Sequence, residues 1–263
     1  MAKPDWTKFR GYWNLDEAGN TNATDSSPYV NTLTQTGGDI ESLEGGRDFE
    51  LADTEYFTRA DNASLSFGDV DFTIGCSVKL ESQATTQFMI NKYNYGGNWR
   101  EYYLGYDTLT DRYKFWVSSD GTFANGTALL ANNYGAVPAT TKAFVMAWSS
   151  STDNKLYMSV DNGAANEVAH AGGCNDNISA FALGAIFNGA AVENWLDGIM
   201  WSAFVYADLM TAAERTWMYN AGVPRKWSEI YFVPKTVFLC DFGKTCKKVN
   251  GLWRPRNLGL SGA

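Results

Sequence analysis

Apolar and polar residues alternate along much of this chain with a period of two, the repeat of a strand that buries one face. The clearest run is 72–80, where Phe72, Ile74, Cys76, Val78 and Leu80 fall on one side. Looser alternation recurs in 112–118, 142–149, 155–160 and 199–206, separated by Asp, Asn, Ser and Gly clusters. These runs predict the strands of an antiparallel meander. Asp153-Asn154 lies between two runs and Asp161-Asn162-Gly163 follows the second. Such residues tolerate the positive φ that tight hairpin turns demand.

The period changes once, near the C-terminal end. Thr211-Ala-Ala-Glu214 has the spacing of a capping box, in which a hydroxyl and a carboxylate satisfy free N–H groups at a helix start. It predicts a helix through Trp217 and Met218 to Asn220, stopped by Gly222 and Pro224. Beyond it, Pro234, Pro255, an apolar stretch over 236–240 and a basic run over 244–248 read as an appended arm. The expected domains are an N-terminal arm over 1–10, a sandwich over 11–222 and a basic C-terminal docking arm over 223–263.

Charge sharpens this division. Residues 1–224 hold 13 basic and 27 acidic side chains, whereas residues 225–263 hold 8 and 2. An acidic body argues against nucleic acid, whose phosphates attract basic proteins by counterion release. The basic end, with Lys244, Lys247, Lys248, Arg254 and Arg256, is the part suited to an acidic partner. No apolar run approaches the ~18 residues of a membrane helix, and the first residues lack the apolar segment of a secretion signal. The expectation is a protein made in a cytoplasm, with no membrane partner.

Candidate chemistry is sparse. His170 is the one histidine, which removes multi-histidine metal sites and histidine relays. Cys76, Cys174, Cys240 and Cys246 form no C-x-x-C pair, so neither zinc nor a thioredoxin-type motif is supported. Free thiols are expected, Cys76 as a small buried apolar group, with a Cys240–Cys246 pair left open.

Four segments carry a family resemblance. They are Tyr12-Trp-Asn-Leu-Asp-Glu-Ala18, Asp61-Asn-Ala-Ser-Leu-Ser-Phe-Gly-Asp-Val-Asp-Phe-Thr-Ile74, and Trp195-Leu-Asp-Gly198 with Leu209-Met-Thr-Ala-Ala-Glu-Arg215. Over residues 11 to 222 the chain resembles the concanavalin-A-like lectin and glucanase superfamily, in its laminin-G-like, pentraxin-like branch. The resemblance implies an all-β fold: an antiparallel two-sheet jelly-roll sandwich with one short C-terminal helix and an appended arm. Many relatives bind calcium at the sandwich edge, which here suggests Asp16, Glu17 and Asp197. The acidic pair usual after Leu-Asp-Gly is replaced by Met200-Trp201-Ser202. Calcium is therefore not expected, no other cofactor is implied, and solvated surface is the favoured reading of these three carboxylates.

Glucanases of the superfamily carry E-x-D-x-E or E-x-D-x-x-E on one strand, which sets an acid and a nucleophile on one face ~5–5.5 Å apart. The nearest match, Glu50-Leu-Ala-Asp53-Thr-Glu55, puts Asp53 and Glu55 on one face and Glu50 on the other, so the catalytic spacing fails. Asp69 and Asp71 read as turn residues entering the next strand. No phosphate loop and no Gly-x-Ser-x-Gly elbow occurs, so a non-catalytic protein is expected.

For binding, 93–103 collects aromatics and amides around Gly96-Gly97, a mixture that lets rings stack on sugar faces while polar groups bond hydroxyls. Tyr93, Tyr95, Asn98, Trp99 and Arg100 are the candidate carbohydrate contacts. The segment reads equally well as a strand entry in which Tyr102 and Leu104 pack the core and Tyr93, Tyr95 and Trp99 stay on the loop. The polar loop 119–128 is assigned no role. A lectin-like fold without a secretion signal suggests a structural or binding protein of a virus particle, released by host lysis, such as a phage capsid-decorating or tail-associated adhesion module. Its partners would be other virion proteins through the C-terminal arm, surface glycans and further copies of itself. A free cellular lectin is the alternative, and a polysaccharide hydrolase ranks last.

Overall fold

A computed structural model describes residues 2–231, together with the backbone of Cys246–Val249 and Leu252–Pro255. Residues up to Ile230 form one unit and Tyr231 onward another. The first unit is a sandwich of two antiparallel sheets. One sheet has eight strands, running Asn166–Ala169, Lys155–Val160, Lys142–Ser150, Phe72–Leu80, Gly198–Tyr206, Gly46–Phe49 and Glu41–Leu43, with Phe9–Trp13 also pairing along Gly198–Tyr206. The other has nine, running Gly126–Leu130, Arg112–Ser118, Trp99–Asp107, Gln87–Asn94, Phe181–Leu183, Tyr56–Arg59 and Thr34–Thr36, with the hairpin Ile186–Asn188 and Ala191–Glu193 attached. All pairings in the unit's two sheets are antiparallel except one bridge between Phe187 and Asn94.

The core follows from the period of two. Phe72, Ile74, Cys76, Val78 and Leu80 are fully buried on the inner face, opposite Tyr102, Leu104, Phe115 and Val117 of the other sheet. Cys76 and Cys174 are free, buried thiols. The hairpin residues Asn154, Asp161 and Asn162 take positive φ, as their positions between strands require.

Both sheets are aromatic on their outer faces as well. Outside the eight-stranded sheet, Phe144, Met146, Phe204 and Tyr206 are covered by Trp217 and Met218 of the helix Ala212–Tyr219. That helix begins with the expected capping box, Thr211 accepting from the Glu214 N–H and Glu214 accepting from the Thr211 N–H, and stops at left-handed Asn220. Thr211→Ala removes the cap and is expected to cost ~1 kcal/mol. Thermal unfolding should register this as a fall of roughly 2–4 °C for a unit of this size.

The sandwich is longer at both ends than 11–222. Phe9 is fully buried and packs edge-on against Tyr12, Tyr206 and Trp227. Lys3 donates to the Glu229 carbonyl at 2.6 Å, and the Trp227 N–H donates to the Asn14 side chain at 3.0 Å. The helix has already ended at Asn220 when the chain reaches Pro224, and the apolar residues beyond it, Trp227 and Ile230, still find uncovered aromatic surface to close.

A bulge near one end of the nine-stranded sheet has energetic weight. Lys92 lies opposite Tyr102 while Tyr93 lies opposite Arg100, so Glu101 is the extra residue. Lys92 and Glu101 are both fully buried and form an ion pair. The Lys92 ammonium also approaches Asp61 at 2.9 Å and donates to the Asn177 carbonyl at 2.6 Å. Glu101 accepts from the Asn177 N–H at 2.9 Å and the Ser66 hydroxyl at 3.2 Å. Burial pushes the Glu101 carboxyl up to about 7, against the opposing pull of Lys92.

Candidate functional site

The aromatic segment folds as a hairpin, Gln87–Asn94 turning through 95–98 into Trp99–Asp107. Tyr102 and Leu104 belong to the core, as the second of the two sequence readings has it. Tyr93 lies not on a loop but on the strand, 5% exposed, in an outer-face cluster with Phe88, Tyr103, Trp116 and Ile186. Its edge meets the Trp116 ring at 5.0 Å between centroids. Tyr93 therefore supports the surface rather than forming it.

Arg100 is likewise committed to structure. Its guanidinium donates to the Tyr95 carbonyl at 2.8 Å, to the Gly121 carbonyl at 3.2 Å and to the Asn98 side chain at 3.2 Å. Tyr95 donates its hydroxyl to the Glu193 carboxylate, which also accepts from Asn188 at 2.9 Å. Burial, and then the hydrogen bond to Glu193, pushes the Tyr95 phenol up to about 12. The outward-facing candidates are Asn98 and Trp99, the latter 43% exposed with its ring against Gly97.

Two further segments close around this tip. A Cβ on Gly96 would sit 2.1 Å from the Gly189 backbone nitrogen, so the two backbones touch there, and the Asn94 side chain bonds Gly189 in both directions at 2.8 and 3.0 Å. On the other side Gly121, at φ +84°, brings its backbone against the Asn98 carbonyl, where a Cβ would meet oxygen at 2.1 Å. The loop 119–125 is itself ordered by Asp120, which accepts from Asn125 at 2.6 Å and from the Thr122 N–H at 2.9 Å. These bonds, the one from Asn125 foremost, hold its carboxyl at about 2.

This loop supplies a residue that sequence reasoning passed over. Phe123 is 70% exposed and stacks on Trp116, with centroids 6.2 Å apart and an interplanar angle of 16°. A large apolar ring set among Thr122, Asn125 and Gly126 was the available signal. Asn98 and Trp99 at the hairpin tip and Phe123 and Asn125 on the neighbouring loop thus offer ring faces and amides side by side, Phe123 backed by the buried aromatic layer and Trp99 by Gly97.

The carboxylates distribute differently. Asp16 pairs with Lys226 at 2.7 Å, Glu17 accepts from the Thr24 N–H at 2.9 Å, and Asp197 accepts from the Leu51 N–H at 3.4 Å. The Glu50–Glu55 segment is not a continuous strand, because Leu51–Asp53 forms a 3-10 turn and Thr54 is left-handed. Alternation is lost there, and Glu50, Asp53 and Glu55 line one cleft with Asp39, Glu41 and Asp48, in place of the expected split across two faces. Burial pushes the carboxyls of Asp48, Glu50 and Glu55 upward, and their acidic neighbours add to the shift.

Of the basic residues assigned to docking, Lys247, Lys248 and Arg254 belong to a two-stranded antiparallel hairpin in which Lys247 is opposite Arg254 and Lys248 opposite Trp253. Lys244, Arg256 and Cys240 lie outside the described residues. Among the described residues no helix is long and apolar enough to cross a membrane.

No family model matches this chain, and no curated protein matches it. Solved structures do share its fold. A botulinum neurotoxin type C structure, from work on cell entry dependent upon interaction with two ganglioside molecules, superposes with a TM-score of 0.61 at 10% identity, over 83% of this chain and 52% of that one. A botulinum neurotoxin DC binding domain in complex with rat synaptotagmin II gives 0.61 at 9% identity, over 83% and 52%. The chain thus spans about half the length of these neurotoxin structures. Domain 4 of AbnA, an extracellular GH43 arabinanase of Geobacillus stearothermophilus in complex with arabinotriose, gives 0.55 at 13% identity, over 81% of this chain and 98% of that one. At these identities the likeness establishes the β-sandwich fold.

Proposed function

We propose that this chain is a non-catalytic glycan-binding sandwich of the concanavalin-A-like, laminin-G-like type, and that its contact surface is the loop cluster around Trp99 and Phe123. One observation carries the reading: two exposed aromatic rings and two side-chain amides stand on the tip of the 87–107 hairpin and on the loop 119–125, whose backbones are in close contact where Gly121 meets Asn98. A rigid aromatic surface binds a sugar ring with little ordering cost. The same architecture in the ganglioside-dependent neurotoxin and in the arabinotriose-bound AbnA domain supports the reading.

The setting we favour is the surface of a virus particle, such as a phage capsid or tail, with the sandwich outward and residues 231–263 as the docking element. The support is the basic excess beyond residue 225 against an acidic body. Immobilised glycans and density-gradient sedimentation of a source lysate test the two parts together. The full chain is expected to bind a restricted class of glycans without cleaving them and to co-sediment with particles. Removal of 231–263 is expected to abolish co-sedimentation and leave glycan binding intact. A chain that binds no glycan, or whose particle association survives the truncation, contradicts the corresponding part.

A further inference from the structure

The acidic cleft lies apart from the aromatic tip and has its own chemistry. Its volume is about 370 Å³, and the side chains lining it are Asp39, Glu41, Asp48, Glu50, Asp53 and Glu55, with no basic residue among them. Sheet register explains the convergence. Gly198 of the strand Gly198–Tyr206 lies opposite Phe49 on one side and Leu80 on the other. Phe49 and Leu80 point into the core, so the alternate residues Asp48 and Glu50 of one neighbour, and Glu81 after the other, project to the outer face across a glycine. One carboxylate oxygen from each of Asp48, Glu50 and Glu81 lies within 4.8 Å of the other two.

A second observation points to a ligand. Asp48 is only 8% exposed, and its Oδ1 is buried with no hydrogen-bond partner. A buried carboxylate oxygen left without a donor is costly and is usually answered by a hydrogen bond or a metal. Lys79 pairs with Glu81 at 3.2 Å and with Glu44 at 3.2 Å rather than with Asp48.

We propose that Asp48, Glu50 and Glu81 hold a hard divalent cation, calcium, which clips the ends of the strands Gly46–Phe49 and Phe72–Leu80 across the strand Gly198–Tyr206 that lies between them. The donors are all carboxylate oxygens, which suits a hard ion. Three carboxylates within 4.8 Å of one another suit calcium, which takes about six to eight oxygens in flexible geometry, better than magnesium, which demands near-ideal octahedral geometry and keeps several of its waters. Water completes the calcium shell. The site is separate from Asp16 and Glu17, and it stands or falls independently of the glycan reading.

The test uses the full chain, stripped with a chelator and then melted with calcium chloride, magnesium chloride or no divalent ion. Calcium at about 100 times its dissociation constant is expected to raise the melting temperature by roughly 5–10 °C, with magnesium giving less than half of that, and titration calorimetry is expected to find one calcium per chain. Asp48→Asn is expected to melt no lower than the stripped parent, because it removes a repelled charge, and to lose the calcium shift. Asp16→Asn, outside the cleft, is expected to keep it. An unchanged melting temperature in calcium, an equal response to magnesium, or a full calcium shift in Asp48→Asn overturns the proposal. Should Asp48→Asn fail to fold, Glu50→Gln replaces it: calcium affinity lowered about ten-fold or more supports the site, and parental affinity overturns it.

Discussion

Replacing Glu101 with alanine is expected to destabilise the sandwich by about 3–5 kcal/mol, which for a unit of this size lowers the melting temperature by roughly 6–20 °C. The mechanism is the stranding of Lys92. Its ammonium is fully buried, and of its two carboxylate partners only Asp61, itself partly exposed, would remain. The Asn177 N–H and the Ser66 hydroxyl would lose their acceptor as well. Removing one member of a buried pair costs more than the pair is worth, because the survivor keeps its desolvation penalty. The double substitution Lys92→Met with Glu101→Leu is therefore expected to recover most of the loss, since it replaces both charges by apolar groups. Denaturant unfolding of the two variants decides the matter. A single variant within 1 kcal/mol of the parent, or a double variant no better than the single, contradicts this account of the bulge.

Trp99→Ala is expected to weaken glycan binding by about 2 kcal/mol, roughly 30-fold, while leaving the unfolding midpoint almost unchanged. The two effects separate because the Trp99 ring is 43% exposed and lies outside the buried clusters. Trp116 provides the contrast. It is buried in the outer-face cluster, stacks on Tyr103 at 5.7 Å and on Phe123, and lies so close over Gly126 that a Cβ there would meet its ring at 1.8 Å. Trp116→Ala is expected to lower stability by about 3–5 kcal/mol and to weaken binding only by loosening the surface. Binding isotherms beside melting curves distinguish the two roles. Equal loss of binding and stability in Trp99→Ala contradicts a contact role for that ring.

How far the sequence reveals this site depends on whether the two faces of each strand differ in polarity. In 72–80 the inner and outer faces differ enough in polarity for alternation to be read directly. In Gln87–Asn94 every residue is buried, because the outer face is covered by aromatics and by the hairpin 186–193. The period of two is then invisible, and Tyr93 reads as a loop residue. The bulge at Glu101 compounds this by shifting the register between Lys92 and Tyr93.

The acidic cleft was hidden for a different reason. Asp48 and Glu50 meet Glu81 only through a strand that begins at Gly198, so no local spacing marks them. The 3-10 turn over Leu51–Asp53 also breaks the alternation that would have separated Glu50 from Glu55. At the C-terminal side the signal was present: Trp227 and Ile230 stand three apart, the spacing of one helical face, immediately after Pro224. The capping box at Thr211, by contrast, depends on four consecutive residues and was fully legible.

The most direct test of the proposed contact surface is to follow the side-chain indole N–H signals of the ten tryptophans by two-dimensional NMR as a panel-selected glycan is added. The account predicts that the Trp99 signal moves and saturates with the binding curve, with Trp13 and Trp217, buried in the core and beneath the helix, unchanged. A stationary Trp99 signal, with shifts instead at Trp148 or Trp201 on the opposite sheet, would contradict it.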